Sequence, residues 1–167
     1  MADQPSRLPT AEQLTSGAGP WSRHLGLVFD EVGEDRLVAH LDVDERHHQP
    51  YGIAHGGVWC SVVESLASVA GGVSAWADGK AVVGVSNTTD FLRPVRTGRV
   101  VCVAEPIHRG RLQHLWQVTI TRADDGKSVA RGQVRLQVTD ADRTLAGRAT
   151  LEDGAAAWGR TDAEGTA

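Results

Sequence analysis

The chain of 167 residues is long enough for one domain with a sizeable core, and 41% hydrophobic and 23% charged residues are ordinary values for a globular protein. The net charge of −4, without a basic run, argues against a nucleic-acid partner. No apolar stretch remains free of polar residues over the roughly 18 positions that a membrane span requires, so no membrane association is expected. The first ten residues lack the apolar segment of a secretion signal, which predicts a cytoplasmic location.

By composition the chain divides into an N-terminal arm over residues 1–20, one domain over 21–140 and a tail over 141–167. The arm mixes Pro, Ser, Thr and Gly with few apolar side chains, which favours a short helix or a loose segment. The tail is rich in Ala, Gly and Asp and shows no sustained period. We therefore expect the tail to be disordered or loosely docked.

Hydrophobic periodicity predicts two strands, one long helix and four further strands. Leu37–Val43 alternates in the manner of a half-buried strand, and the period becomes helical over 57–77. The later strands are predicted at 81–92, 99–108, 112–122 and 128–139. Their connections are short enough for hairpins, so the sheet should be antiparallel. A single long helix must bury its apolar stripe against that sheet, which predicts an α+β fold with the sheet wrapped around one central helix.

The predicted helix carries a single charged residue, Glu64. At about 100° per residue, its large apolar side chains fall on one side and Glu64 falls on the other with small residues. The first set is Val58, Trp59, Val62, Leu66, Val69 and Val73, and the second is Glu64, Ala67, Ser68, Gly71 and Ala75. Since a surface helix would carry long polar side chains on its second side, we expect a second subunit to cover it. Glu64 would then lie in the partly desolvated interface between the subunits. An ionised carboxylate is destabilising there unless it forms hydrogen bonds or ion pairs.

The surroundings of Glu64 favour chemistry on a carbonyl group. Ser68 lies one turn after Glu64 and points the same way, so a hydroxyl beside the carboxylate can hold a water molecule. The helix is entered through His55-Gly56-Gly57, where unpaired N–H groups and the positive end of the helix dipole suit an oxygen that acquires negative charge.

Five segments carry a resemblance to a known family: HHQPYG, HGG, ESLAS, VVGV and LRPV. With the gaps from Gln49 to His55 to Glu64, they resemble the hotdog-fold acyl-CoA thioesterases, also called PaaI-like. More narrowly they are similar to the glutamate-dependent branch that contains 4-hydroxybenzoyl-CoA thioesterases. The resemblance covers about residues 24–138 and implies a hotdog fold.

The resemblance also implies a role for each motif residue. Glu64 would be the nucleophile or the general base on a thioester, with Ser68 beside the hydrolytic water. The backbone N–H of Gly56 would meet the thioester oxygen. Gln49 and His55 would polarise or position that carbonyl, from the subunit opposite the glutamate.

For the substrate, the resemblance implies an acyl-CoA, with aromatic acyl groups favoured, or the same thioester on an acyl carrier protein. Arg93 matches an arginine near the CoA phosphates, and Gly110 and Arg111 match a segment that contacts the nucleotide. Family members are dimers that pair into tetramers, with CoA along a subunit interface. No cofactor is implied, because CoA is part of the substrate. Family members vary where this chain has Thr88-Thr89-Asp90-Phe91, so the acyl group is left open.

The sequence gives less support to a metal site, a cysteine nucleophile and two other functions. His47, His48 and His55 lack an acidic or cysteine ligand at a suitable spacing, so no metal is predicted. Cys60 is expected to be a small core residue rather than a nucleophile. The enzymatic rival is a hotdog-fold acyl-CoA dehydratase, whose histidine must remove a proton from the acyl chain. The other rival is a domain that only binds acyl-CoA, which would need neither Glu64 nor the Gln49 and His55 pair.

Overall fold

The computed structural model describes residues 8–76 and 78–140. The predicted tail over 141–167 lies outside the described residues, as do residues 1–7.

Two short helices, α1 (Ala11–Ser16) and α2 (Pro20–Leu25), precede the first strand. Leu14 of α1 is buried in the main hydrophobic core. The Thr15 hydroxyl accepts a hydrogen bond from the Phe29 N–H at 3.0 Å and so ties α1 to the first strand. The described part of the predicted arm therefore packs against the domain.

Six strands form one sheet in the order β1-β2-β4-β5-β6-β3, and each pair of neighbours is antiparallel. The strands are β1 (Val28–Val32), β2 (Leu37–Val43), β3 (Lys80–Phe91), β4 (Gly98–Arg109), β5 (Gln113–Arg122) and β6 (Ser128–Asp140). β2 has the predicted bounds, and β3 to β6 differ from the predicted bounds by no more than one residue at either end. The predicted antiparallel sheet is confirmed.

One long helix, α3 (Gly56–Trp76), crosses the concave side of this sheet. Trp59, Val62 and Leu66 of α3 are buried in the same core as Trp116 of β5 and Leu136 of β6. The sheet thus wraps around the helix, and burial of the apolar helix side stabilises the fold. The predicted α+β architecture with one wrapped central helix, the hotdog arrangement, is confirmed.

The predicted division of α3 into two sides is wrong at its C-terminal half. Ala67, Gly71 and Ala75 were expected beside Glu64 on the side away from the sheet, yet all three are buried. A Cβ atom at Gly71 would lie 2.3 Å from Leu136 Cδ1, because β6 curls around the helix and approaches its backbone there. None of the 21 residues of α3 is fully exposed, although Glu64 and Ser68 are only half-buried.

By length and composition, α3 also meets the requirement for a membrane span, contrary to the expectation from the sequence. Its best 18-residue window has a mean hydropathy of 1.4, and 56% of that window is buried inside the protein. A helix wrapped by a sheet needs the same apolar composition as one in a bilayer. The burial of α3 is that of a core helix.

Candidate functional site

Glu64 lies in α3 and faces β3, and hydrogen bonds hold both of its carboxylate oxygens. The Ser68 hydroxyl donates to Oε1 at 3.2 Å, as the spacing of one helical turn predicts. Asn87 Nδ2 of β3 donates to Oε2 at 3.1 Å. Both donors are neutral, so the carboxylate is oriented without a cation that would neutralise it.

The approach of β3 to Glu64 is unusually close. A Cβ atom at Gly84 would lie 2.4 Å from Glu64 Oε1, so any larger residue there would require the carboxylate or the strand to move. Asn87 is a site residue that the sequence did not reveal, because its partners lie on another element. Its Nδ2 also donates to the Cys60 carbonyl at 3.0 Å, and its Oδ1 accepts from the Thr89 hydroxyl at 2.7 Å. Nδ2 donates to two oxygen atoms that can only accept. The nitrogen and oxygen of the Asn87 amide group therefore cannot exchange places.

Cys60 is half-buried beside this network, and it is not one of the buried core residues that the sequence predicted it to join. Its position follows from the turn of α3, which places residue 60 on the same side as Glu64. Cys102 is the buried thiol, and burial raises its pKa far above the ordinary value, so it stays protonated.

Gln49 belongs to a tight loop that precedes α3. Its N–H donates to the Ile53 carbonyl at 2.8 Å, and its carbonyl accepts from the Gly52 N–H at 2.9 Å. Gly52 has a φ of +69°, a left-handed conformation that favours glycine. Gln49, Gly56 and Arg93 line one open cavity of about 250 Å3.

At the start of α3, both glycines lie against neighbouring side chains. The Gly57 N–H donates to His55 Nδ1 at 2.9 Å, and a Cβ atom at Gly57 would lie at that same distance from Nδ1. A Cβ atom at Gly56 would lie 2.6 Å from the Phe91 ring. Within residues 8–76 and 78–140 the Gly56 N–H has no hydrogen-bond acceptor. It is a free donor at the positive end of a 21-residue helix.

The hydrogen bond at His55 fixes which ring nitrogen carries the proton. Because Nδ1 accepts from the Gly57 N–H, the neutral imidazole must carry its hydrogen on Nε2. His55 is exposed, so this N–H is open to a ligand. The ring is therefore arranged as a hydrogen-bond donor.

The two neighbouring histidines, His47 and His48, form hydrogen bonds that fix the loop before α3. His47 is buried, accepts from the Asp44 N–H at Nδ1 and donates from Nε2 to the Leu25 carbonyl at 2.9 Å. His48 Nε2 donates to the Arg96 carbonyl. In the part of the chain that the structure describes, no group of three or more His, Cys, Asp or Glu side chains is placed to hold a metal ion. That the protein uses no metal stays a prediction.

Within one chain, the predicted catalytic residues fall into two groups. Glu64 and Ser68 lie together with Asn87, whereas Gln49, His55 and Gly56 lie at the start of α3. Glu64 follows Gly56 by eight residues, which is roughly 12 Å along the helix axis. A carboxylate and an amide that act on one carbonyl must both lie within hydrogen-bonding reach of it, so the two groups of a single chain do not form one site.

The residues predicted to contact CoA also separate. Arg93 lies in the cavity with Gln49 and Gly56, and its guanidinium donates to the Ser128 carbonyl at 2.7 Å. Gly110 and Arg111 line a different cavity of about 440 Å3 together with Ser74 and His114. Ser74 belongs to the last turn of α3, and the helix is roughly 30 Å long, so one chain holds these groups at opposite ends.

The sequence is similar to one family model and to known proteins. The model of the Thioesterase superfamily matches residues 51–129. The Mycobacterium tuberculosis (strain H37Rv) protein Rv1847, named as a candidate esterase, is 50% identical over 126 residues, which are 73% of this chain and 88% of that protein. The proofreading thioesterase EntH of Cronobacter sakazakii is 38% identical over 112 residues, which are 66% of this chain and 81% of EntH.

Solved structures show the same similarity in three dimensions. The structure of Rv1847 aligns with a TM-score of 0.72 at 49% identity, covering 75% of this chain and all of that one (100%). The crystal structure of the thioesterase HI1161 from Haemophilus influenzae aligns with a TM-score of 0.73 at 36% identity, covering 78% of this chain and 91% of that one.

Proposed function

Because the chain belongs to the thioesterase superfamily, we propose that it hydrolyses an acyl-CoA to the free acid and CoA at a site shared between two copies of the chain. The observation that carries this proposal is the carboxylate of Glu64, which Ser68 and Asn87 orient. The free Gly56 N–H of the same chain lies too far away to act with this carboxylate on one carbonyl group. A second copy supplies the missing half.

The edge of the sheet supports a two-fold dimer. β3 is twelve residues long and lies at one end of the strand order, and Gly84–Thr88 is exposed. Long exposed edge strands are normally covered by another strand. α3 runs antiparallel to β3, with Gly56 beside Phe91 and Glu64 beside Gly84 and Asn87. Antiparallel pairing of two β3 strands about Asn87 and Thr88 would bring the Gly56 of one copy opposite the Glu64 of the other.

The chemistry follows from these groups. The thioester carbonyl oxygen accepts a hydrogen bond from the Gly56 N–H, with Gln49 and the His55 Nε2–H as further donors, so negative charge on that oxygen is stabilised. The carboxylate of Glu64 either removes a proton from a water held by Ser68 or attacks the carbonyl carbon itself. In the first route the activated water attacks the carbonyl carbon, the C–S bond breaks, and the proton taken up by Glu64 passes to the departing thiolate of CoA. In the second route the C–S bond breaks as Glu64 forms a mixed anhydride with the acyl group. Water then hydrolyses this anhydride, which releases the acid, restores the Glu64 carboxylate and supplies a proton for the thiolate. A thioester is already activated, so no serine triad is required.

The tautomer of His55 distinguishes the proposed thioesterase from a dehydratase. A dehydratase histidine must accept a proton from the acyl chain, whereas His55 presents a donor, since its Nδ1 already accepts from Gly57. A domain that only binds acyl-CoA would not need a carboxylate with both oxygens oriented. These three hydrogen bonds support hydrolysis over both rivals.

We further propose a cytoplasmic enzyme that assembles as a dimer of dimers. Arg93, which lines the cavity with Gly56, would meet the CoA phosphates, and Gly110 and Arg111 would contact the nucleotide across a second interface. An acyl carrier protein offers the same pantetheine thioester and is the alternative donor.

The test is a thiol-release assay over acetyl-, hexanoyl-, palmitoyl- and benzoyl-CoA with wild type, Glu64→Ala and Glu64→Gln. We expect kcat to fall by about 10²–10⁴-fold in both variants, with a small change in KM. Glu64→Gln is the matched control for shape, because it keeps the side-chain length and removes only the charge. Hydrolysis that both variants retain would overturn the proposal, and 3-hydroxyacyl-CoA dehydration without thiol release would favour the rival enzyme.

A further inference from the structure

Asn87, which orients the Glu64 carboxylate, is itself held by a third side chain. The Thr89 hydroxyl lies 2.7 Å from Asn87 Oδ1, whereas Asn87 Nδ2 donates to Glu64 Oε2 at 3.1 Å. An amide oxygen can only accept, so the Thr89 hydroxyl donates its single hydrogen in this contact. The proposed function gives Glu64 a role in the reaction, but it gives none to Thr89.

The register of β3 places Thr89 and Asn87 on one face of the sheet. Residues two apart in a strand point to the same side, so both side chains face α3. Thr89 is half-buried and pairs with Gly132 of β6. A Cβ atom at Gly132 would lie 2.8 Å from both Thr89 Oγ1 and Val63 Cγ1 of the helix. The glycine therefore leaves the space between sheet and helix that the hydroxyl occupies.

The contacts of Asn87 Nδ2 leave the oxygen end of the amide group unheld. Nδ2 also donates to the Cys60 carbonyl at 3.0 Å. That oxygen is shared, because in an α-helix the carbonyl of residue 60 also accepts from the N–H of residue 64. Asn87 is exposed in the single chain, so water competes for its amide group. Within residues 8–76 and 78–140, the Thr89 hydroxyl is the one partner of Oδ1.

The three side chains form a line of hydrogen bonds that ends at the carboxylate. The Thr89 O–H points to the Asn87 oxygen and the Asn87 N–H points to Glu64, so the two bonds align head to tail. Aligned hydrogen bonds polarise one another, and donation to Oδ1 makes Nδ2 a stronger donor. Thr89 thereby acts on the carboxylate without contacting it.

We propose that Thr89 is a positioning residue for the reaction, since its hydroxyl holds Asn87 in the orientation that directs Nδ2 at the Glu64 carboxylate. The inference rests on the proposed function, because it gives Thr89 a part in the use of Glu64. Loss of the hydroxyl should slow the chemical step and change substrate binding little. A role in strand packing alone would instead follow the branched shape of the side chain.

The experiment compares variants of Thr89 that separate the hydroxyl from the branched shape. Thr89→Val keeps the shape, and for the thioester that wild type turns over fastest it should lower kcat about tenfold with a small change in KM. Thr89→Ser keeps the hydroxyl and should stay within about twofold of wild type. Thr119→Val is the matched control, since Thr119 is a half-buried threonine on the opposite face of the sheet. Urea unfolding checks that each variant is folded, and Thr89→Ala takes the place of Thr89→Val if the second methyl group is not tolerated.

A double variant tests whether Thr89 acts through Asn87. Asn87→Ala/Thr89→Val should be no slower than Asn87→Ala alone, because the group that Thr89 orients is then absent. Losses of kcat that multiply in the double variant would overturn the inference. Equal losses in Thr89→Val and Thr89→Ser would overturn it as well, since the hydroxyl would not be the group that matters.

A measurement without turnover separates this inference from the proposed function. In NMR spectra, the side-chain amide of Asn87 should exchange its hydrogens about fivefold faster in Thr89→Val than in wild type, and Thr89→Ser should match wild type. An unchanged exchange rate in Thr89→Val would overturn the inference and leave the thioesterase proposal standing. No thiol release from any thioester, together with faster exchange in Thr89→Val, would instead refute hydrolysis and retain the positioning of Asn87 by Thr89.

Discussion

Asn87 Nδ2 lies 3.1 Å from Glu64 Oε2, and this contact joins the edge strand of the sheet to the only charged side chain of α3. The strand therefore does more than cover the helix, since it orients the carboxylate that the proposed reaction uses. Ser68 orients the other oxygen at 3.2 Å. Because a carboxylate is held here by neutral hydrogen-bond donors alone, its charge remains available for catalysis.

Replacing Asn87 tests this relationship. In Asn87→Asp, a second carboxylate beside Glu64 disfavours ionisation, so the acidic limb of the kcat/KM profile should move to higher pH by about one unit. Asn87→Ala should lower kcat about tenfold or more with a smaller change in KM, because the carboxylate loses its orientation. The measurement is a pH–rate profile with benzoyl-CoA. Thr88→Ala, on the neighbouring residue, is the control, and an unshifted profile for Asn87→Asp would contradict the role.

Gly84 is expected to matter for activity. A Cβ atom there would lie 2.4 Å from Glu64 Oε1, so Gly84→Ala must displace the carboxylate or the strand. A displacement of about 1 Å is expected to lower kcat by roughly a hundredfold. Gly19→Ala is the matched control, since a Cβ atom at Gly19 meets nothing within 4 Å. Wild-type turnover by a folded Gly84→Ala protein would show that the carboxylate is not needed where the structure places it.

Gly71 is expected to matter for stability instead. A Cβ atom there would lie 2.3 Å from Leu136 Cδ1 in the core, so Gly71→Ala over-packs the contact between α3 and β6. The free energy of unfolding should fall by about 1–3 kcal/mol. Urea unfolding followed by circular dichroism measures it. An unchanged or higher stability would mean that β6 moves aside at no cost, and the close wrapping of the helix would be refuted.

His114 should make stability depend on pH. Burial lowers its pKa, and the nearby charges of Arg109 and His108 lower it further. The unfolded chain therefore binds the proton at a higher pH than the folded chain. This contribution to stability is complete above the ordinary histidine pKa of about 6.5 and is lost as the pH falls below it.

Replacing the ring by an apolar side chain should remove that dependence. Between about pH 7.5 and 5.5, His114→Leu should lose less stability than wild type in urea unfolding. His24→Leu, at an exposed histidine, is the control for replacing an imidazole by leucine. Equal losses in wild type and His114→Leu would show that His114 does not titrate differently in the folded protein.

The sequence predicted the sheet and its helix well because their periods are long and regular, and β2 was placed at its observed bounds. The burial of Gly71 was missed, since projecting a helix at fixed angles assumes a flat cover, whereas this sheet curls around α3. Asn87 was missed for a related reason. Its contact with Glu64 spans 23 residues of chain and depends on the register of β3 against the helix.

The site was only partly predictable. Glu64 and Ser68 share a helix, so their proximity follows from the spacing alone. The hydrogen bond from the Gly57 N–H to His55 makes the ring a donor at Nε2. It depends on a backbone conformation that two glycines allow but do not determine, so the sequence did not predict it. Helix geometry does fix the separation of Gly56 and Glu64, and it is from that separation that we propose a site shared with a second chain.

Subunit mixing tests that requirement most directly. Glu64→Ala subunits and Gln49→Ala/His55→Ala subunits, each nearly inactive alone, are co-expressed with different tags, and the mixed dimers are purified through both tags. If each site takes Glu64 from one copy and Gln49, His55 and Gly56 from the other, each mixed dimer holds one complete site, so the doubly tagged protein should far exceed both parents and reach up to about half of the wild-type thiol-release rate. A rate no higher than the sum of the two parent variants would contradict a site shared between chains.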